Sequence, residues 1–131
     1  MVRAARYVYL GLAVAFVIGL VVQVFYAGMG VFEASDFEAH IGLGWMLHLV
    51  PILILAAAAV GRAGRRRILW AAALAATIFV VPILALMRAD APAVAALHPV
   101  AAVISFWLAI VVARDAMSLR RGDVELESKP A

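Results

Sequence analysis

The chain has 131 residues, 68% of them hydrophobic, with a mean hydropathy of +1.09; this excludes an ordinary soluble domain, whose apolar share is nearer about half. It has no cysteine, which removes thiol–disulfide chemistry, iron–sulfur clusters and covalent c-type haem attachment. The net charge of +3 would suit nucleic acid only if the basic residues shared a polar surface, and they instead gather at the ends of apolar stretches.

Four such stretches follow one another, at about 7–28, 40–61, 68–87 and 92–113. Each reaches the roughly 20 apolar residues that a membrane-spanning helix needs. The first is preceded by Arg3 and Arg6, as in a secretion signal. Its apolar core is longer than the usual ~7–15 residues and no clear A-x-A site follows, so it reads as an uncleaved anchor. Gly11 and Gly19 allow close helix contact, and Gln23 lies near the far end. The connection 29–39 carries Glu33, Asp36 and Glu38.

The second stretch opens on His40, continues through Gly44 and His48, and contains Pro51. A GRAGRRR run, 61–67, separates it from the third, which is alanine-rich over 71–76 and holds Pro82. This run is a topology determinant on the plain reading and an anionic-lipid or acidic-partner contact on the other. Arg88 and Asp90 come next; Asp90 before Ala91 and Pro92 reads as an N-cap and first-turn proline starting the fourth stretch. His98 and Pro99 follow within it. The remainder after 113 is short and charged, and its RRGDVELESKP, 120–130, reads as a short disordered tail.

The fold expected is an all-α integral membrane protein, an up-down-up-down bundle of four transmembrane helices forming one domain over 1–131. Of eleven Lys and Arg residues only Arg88 falls on the side of the acidic connections. The positive-inside rule therefore puts both termini in the cytoplasm. The lipid bilayer is the partner composition dictates; nucleic acid is not one.

All three histidines then lie in the outer half, on spans two and four, at diagonal corners of the bundle. Ionisable side chains at membrane depth usually face the bundle interior or a cavity. Counting from Glu38 and Asp90 at ~1.5 Å per residue sets His40 about 3 Å, His48 about 15 Å and His98 about 12 Å inward. That count pairs His98 with His48. Imidazoles on facing helices of a four-helix bundle commonly hold haem or metal. Haem b suits better than zinc, because three histidines without cysteine or an intramembrane carboxylate do not complete a closed zinc site, whereas haem needs two axial ligands and an apolar cleft. Gly44 would admit the ring edge, Arg88 would pair with a propionate, Gln23 would hydrogen-bond the cofactor or a ligand, and Ala101, Ala102 and Ser105 would line the His98 side. The plainer readings are an interfacial His40, a carbonyl-bonded His48 and a His98 shaped by Pro99.

The runs QVFYAGMGVFEASDFEAHIGLGWML, 23–47, and ALHPVAAVISFWLA, 96–109, resemble a family of small four-helix bacterial membrane proteins of unknown function, common in actinobacteria. In that resemblance the recurring residues are Gln23, Gly28, His40, Gly44, His98 and Pro99, and it implies the cytoplasmic membrane of a bacterium. More distantly, the His-x-x-x-Gly start of span two with a histidine in span four resembles one half of haem A synthase. That likeness implies His40 and His98 as the metal-ligating pair, against the depth count. The synthase pattern carries a glutamate four residues before its first histidine, where this chain has Asp36, and the second half is missing. Three functions follow as expectations. One is a small b-type haem protein for electron transfer or haem handling, with quinone or other membrane subunits as partners. Another is an accessory subunit of a larger membrane complex without cofactor. The last, a proton-coupled small transporter, is disfavoured because no span carries a carboxylate.

Overall fold

A computed structural model describes residues 1–128, with side chains through Asp123. Six helices follow in order: α1 Val2–Val31, α2 Glu38–Leu47, α3 Val50–Val60, α4 Arg65–Leu86, α5 Pro92–Ala95 and α6 Leu97–Ser128. They compose four spans, α2 with α3 forming the second and α5 with α6 the fourth, each long and apolar enough to cross a membrane. The chain is a multi-pass, all-helical membrane protein with up-down-up-down topology.

Each of the four spans buries a narrow stripe and leaves most of its remaining membrane-depth surface apolar. Tyr9, Ala13 and Phe16 on α1 meet Ile54, Ala57 and Ala58 on α3, Ala71, Leu74 and Ile78 on α4, and Leu108, Ala109 and Val112 on α6. These spacings of three and four are the helical period. Alanine on the seam lets backbones approach where lipid gives no hydrophobic drive to association. Only about a fifth of each span is buried within the protein, 17–22%. The remainder, including Val14, Ile18, Phe25, Leu53, Phe79 and Val103, faces outward as a lipid surface. Around the bundle α1 packs on α3, α3 on α4, α4 on α6 and α6 on α1. Spans two and four are therefore diagonal, as expected.

The spans are less regular than the apolar runs suggest. The second span breaks at His48 and Leu49, between α2 and α3, and the fourth span breaks at Ala96. Both breaks follow the residue four before a proline: Leu47 before Pro51, and Ala95 before Pro99. A proline ring removes the donor for that carbonyl and crowds it. Pro82 is carried inside an uninterrupted α4. The expected Asp90 cap does not form; Ala91 occupies the N-cap position with no side-chain bond, and Pro92 opens α5.

Helix α1 and α3 close with the same C-terminal motif, on non-glycine residues. Glu33 at φ 57° and Arg62 at φ 48° take the left-handed position, and the next amide bonds the carbonyl five residues back (Ala34 to Met29 at 2.9 Å, Ala63 to Ala58 at 3.0 Å). Gly64, at φ 93°, completes the turn into α4.

The disordered tail expected over 120–130 is instead, as far as Ser128, a continuation of α6; Lys129, Pro130 and Ala131 lie outside the described residues. The cause is a polar clasp at this end. Asp123 accepts from Arg6 and, at 3.0 Å, from Arg120, whose guanidinium lies 3.7 Å over the Tyr7 ring. Arg66 pairs with Asp115 at 2.9 Å, while Arg67 donates to the Asp115 carbonyl, the Ala63 carbonyl and Ser118. Arg6 also donates to the Gly61 carbonyl at 2.8 Å. Arg120 is 7% exposed, so removing its partner strands a nearly buried charge. Asp123→Ala is expected to destabilise by about 2 kcal/mol and to open the end of α6 to protease. A thermal melt in detergent with limited proteolysis checks this; an unchanged midpoint and cleavage pattern would contradict it.

Candidate functional site

At the opposite end, helix α2 packs on α1 and runs into α3 but makes no close backbone approach to α4 or α6. Beyond the Pro51 break the second span thus stays on α1 but parts from α4, and a cavity of about 610 Å³ fills the gap. That volume lies within the ~300–1,000 Å³ of small-molecule and cofactor sites. Its walls are mostly apolar, from Leu20, Ile41, Leu47, Ile78, Pro82 and Ala85. The polar groups among them are Gln23, His40, His48, Arg88 and His98.

Two of the three histidines meet. The rings of His40 and His98 stand 6.4 Å apart, centre to centre, with their planes at 72°. Each is fixed by its Nδ1. His98 Nδ1 lies 2.8 Å from the Val81 carbonyl oxygen, and His40 Nδ1 lies 3.1 Å from the Gln23 carbonyl oxygen. A carbonyl can only accept, so in both rings Nδ1 carries the hydrogen and the neutral ring keeps its lone pair on Nε2. This is the arrangement by which proteins orient metal-binding imidazoles.

Gln23 secures His40 a second time, donating from Nε2 to the His40 carbonyl at 2.7 Å. Its Oε1 is buried, with no protein donor among the described residues. Gly44 explains itself here. A Cβ on it would stand 2.9 Å from Gln23 Nε2, so its missing side chain makes room for the glutamine amide. Gly44 also lines the cavity, on the side where it was expected to admit a cofactor edge.

His48 is placed otherwise than the depth count predicts. It lines the cavity, but its ring packs on Trp45 at 5.6 Å and edge-on against Phe79 at 5.4 Å, while Nδ1 lies 3.3 Å from the Gly44 carbonyl oxygen. The count failed because its two rulers differ. On the His98 side, α5 is a separate turn followed by a break, so eight residues past Asp90 is not eight residues of straight helix. His98 consequently sits in the first turn of α6, beside the first turn of α2.

Arg88 lies at the cavity rim, exposed and without a partner among the described residues. Ser105 is buried and returns its hydroxyl to the Ala101 carbonyl at 2.9 Å, away from the cavity lining. Trp70 and Trp107 pack on each other at 6.0 Å, linking α4 to α6. Two contributors escaped the sequence reading. Phe37 sets its ring 6.1 Å from His40, in a notch that a Cβ on Gly30 would fill at 2.7 Å. Its spacing one turn before His40 was the available signal. The other is the Val81 carbonyl, which no side chain announces. No group of three or more His, Cys, Asp or Glu residues able to hold a metal ion occurs among the described residues.

Against known proteins, no curated protein and no solved structure matches the chain. One family model matches residues 23–89, a stretch containing Gln23, His40, Gly44, His48 and Arg88 and ending before His98. With half of its length so matched, the chain belongs to the family of unknown function DUF6220.

Proposed function

We propose that this is a small integral membrane protein that binds haem b between His40 and His98, for electron transfer or haem handling. The observation that carries the reading is the pair of imidazoles 6.4 Å apart with both Nδ1 atoms engaged by carbonyls. Metal–imidazole bonds are about 2 Å long, so two rings on opposite sides of one metal stand about 6 Å apart centre to centre. The remaining Nε2 lone pairs are the ligating atoms of neutral histidine. Two ligands suffice for haem and not for a closed zinc site. An apolar cavity suits the macrocycle, and the free Arg88 guanidinium at its rim suits a propionate. The likeness to one half of haem A synthase favours the same histidine pair, as an analogy of fold.

By the arginine asymmetry the termini and the clasp are cytoplasmic, and the histidine end faces the outer side of a bacterial cytoplasmic membrane. Quinone or another membrane subunit would be the redox partner. Titrating haem into protein purified without it is expected to give a Soret band that saturates at one equivalent per chain. A featureless, unsaturating titration would contradict the reading and leave the cofactor-free accessory subunit in its place.

A further inference from the structure

We infer that the cavity exchanges its occupant with the bilayer, sideways through the gap between α2 and α4, which makes haem transfer rather than permanent retention the task of this site. The inference rests on the haem reading above. Three observations carry it. First, α3 packs on α4 whereas α2 does not, so the second span leaves α4 beyond the break at His48 and Leu49. The edge-on contact of Phe79 with His48, 5.4 Å between centres, marks the foot of that gap. Second, Ile41 and Trp45 on α2 and Leu86 on α4 all line the cavity, yet are 50%, 57% and 71% exposed. Residues that face both the inside and the outside of a molecule form the rim of an opening. Third, this rim is apolar and lies on membrane-spanning helices, so what it meets outside is lipid. The one charged group on the rim, Arg88, follows the end of α4.

An opening of this kind selects by chemistry. It admits a flat apolar body from the acyl layer while holding carboxylates back at the headgroup level, where an arginine meets them. Haem b is such a molecule. A haem in this place keeps one edge toward lipid and needs no passage through water to arrive or leave. His40 and His98, as the residues that would hold the iron, would set how long it stays.

The absence of cysteine makes the test clean. In Ile41→Cys/Leu86→Cys, both positions being exposed, a reversible bifunctional thiol reagent bridges the gap. Haem uptake is then followed from haem-loaded liposomes, and haem release to a soluble apo-haem scavenger. Bridging is expected to slow both at least tenfold, and cleaving the bridge to restore them. The single-cysteine variants capped with a monofunctional reagent are the reference, and the bridged protein should exchange at least tenfold more slowly than either. Leu86→Trp, which narrows the gap without a reagent, should slow both as well. Unchanged exchange in the bridged protein and in Leu86→Trp would overturn the lateral route while leaving haem binding intact. Failure of the unmodified protein to take up haem at all would overturn the haem reading, and this inference with it.

Discussion

His98→Ala is expected to abolish haem retention, His40→Ala to weaken binding by at least about 100-fold, and His48→Ala to leave affinity and spectrum within about twofold. The asymmetry follows from geometry. The rings of His98 and His40 stand 6.4 Å apart, with Nδ1 of each bonded to a backbone carbonyl. On the proposed haem reading, deleting either would remove a metal ligand, a larger loss than the roughly 10–100-fold typical when only an outer-shell partner of a metal ligand is changed. His48 touches Trp45 and Phe79 and lies at the foot of the gap, so its loss alters packing and leaves the ligand pair alone. Spectral titration of the three variants decides between this arrangement and the one counted from the sequence. Loss of binding in His48→Ala with retention in His40→Ala would reverse the assignment.

Gly44→Ala is expected to cost about tenfold in haem affinity, an outer-shell effect, while far-ultraviolet dichroism stays unchanged. The added methyl would sit 2.9 Å from Gln23 Nε2, too close to be tolerated. What gives way is the end of a flexible side chain, so the helices stay where they are and the glutamine amide moves. Its bond to the His40 carbonyl is then lost, and with it one of the two ties that orient His40. Gln23→Ala should reproduce the loss, and the double variant should add nothing, because both changes remove the same interaction. Additive losses would show that Gly44 acts through the cavity wall instead of through Gln23.

Much of the fold is legible from composition. Apolar runs of sufficient length give four spans, and the arginines sort the two ends. The helical spacing of Tyr9, Ala13 and Phe16 is that of a buried stripe. What the sequence hides is where straight helices stop. Pro51, Pro82 and Pro99 look alike in the sequence, yet two accompany breaks and one lies in a continuous helix. That difference governs depth, and depth governs which histidine faces His98. The candidate site was half legible. His40, His98, Gln23, Gly44 and Arg88 do gather on one cavity, but the reason for Gly44 is a side chain from another helix, and the carbonyls that orient the imidazoles leave no trace in residue identity. The clasp was not legible at all. A polar stretch such as 114–123 reads as solvated chain unless one knows that Arg6 and Arg66 from other helices supply its partners.

The most direct test of paired histidine ligation is the electron paramagnetic resonance spectrum of the ferric, haem-loaded protein. Two imidazoles bound on one iron would give a low-spin signal, and ring planes kept near their present 72° would make it strongly anisotropic. That signal is expected in the unaltered protein and in His48→Ala, and absent in His98→Ala. A high-spin signal in the unaltered protein, or a low-spin one that survives His98→Ala, would contradict the pairing of His40 with His98.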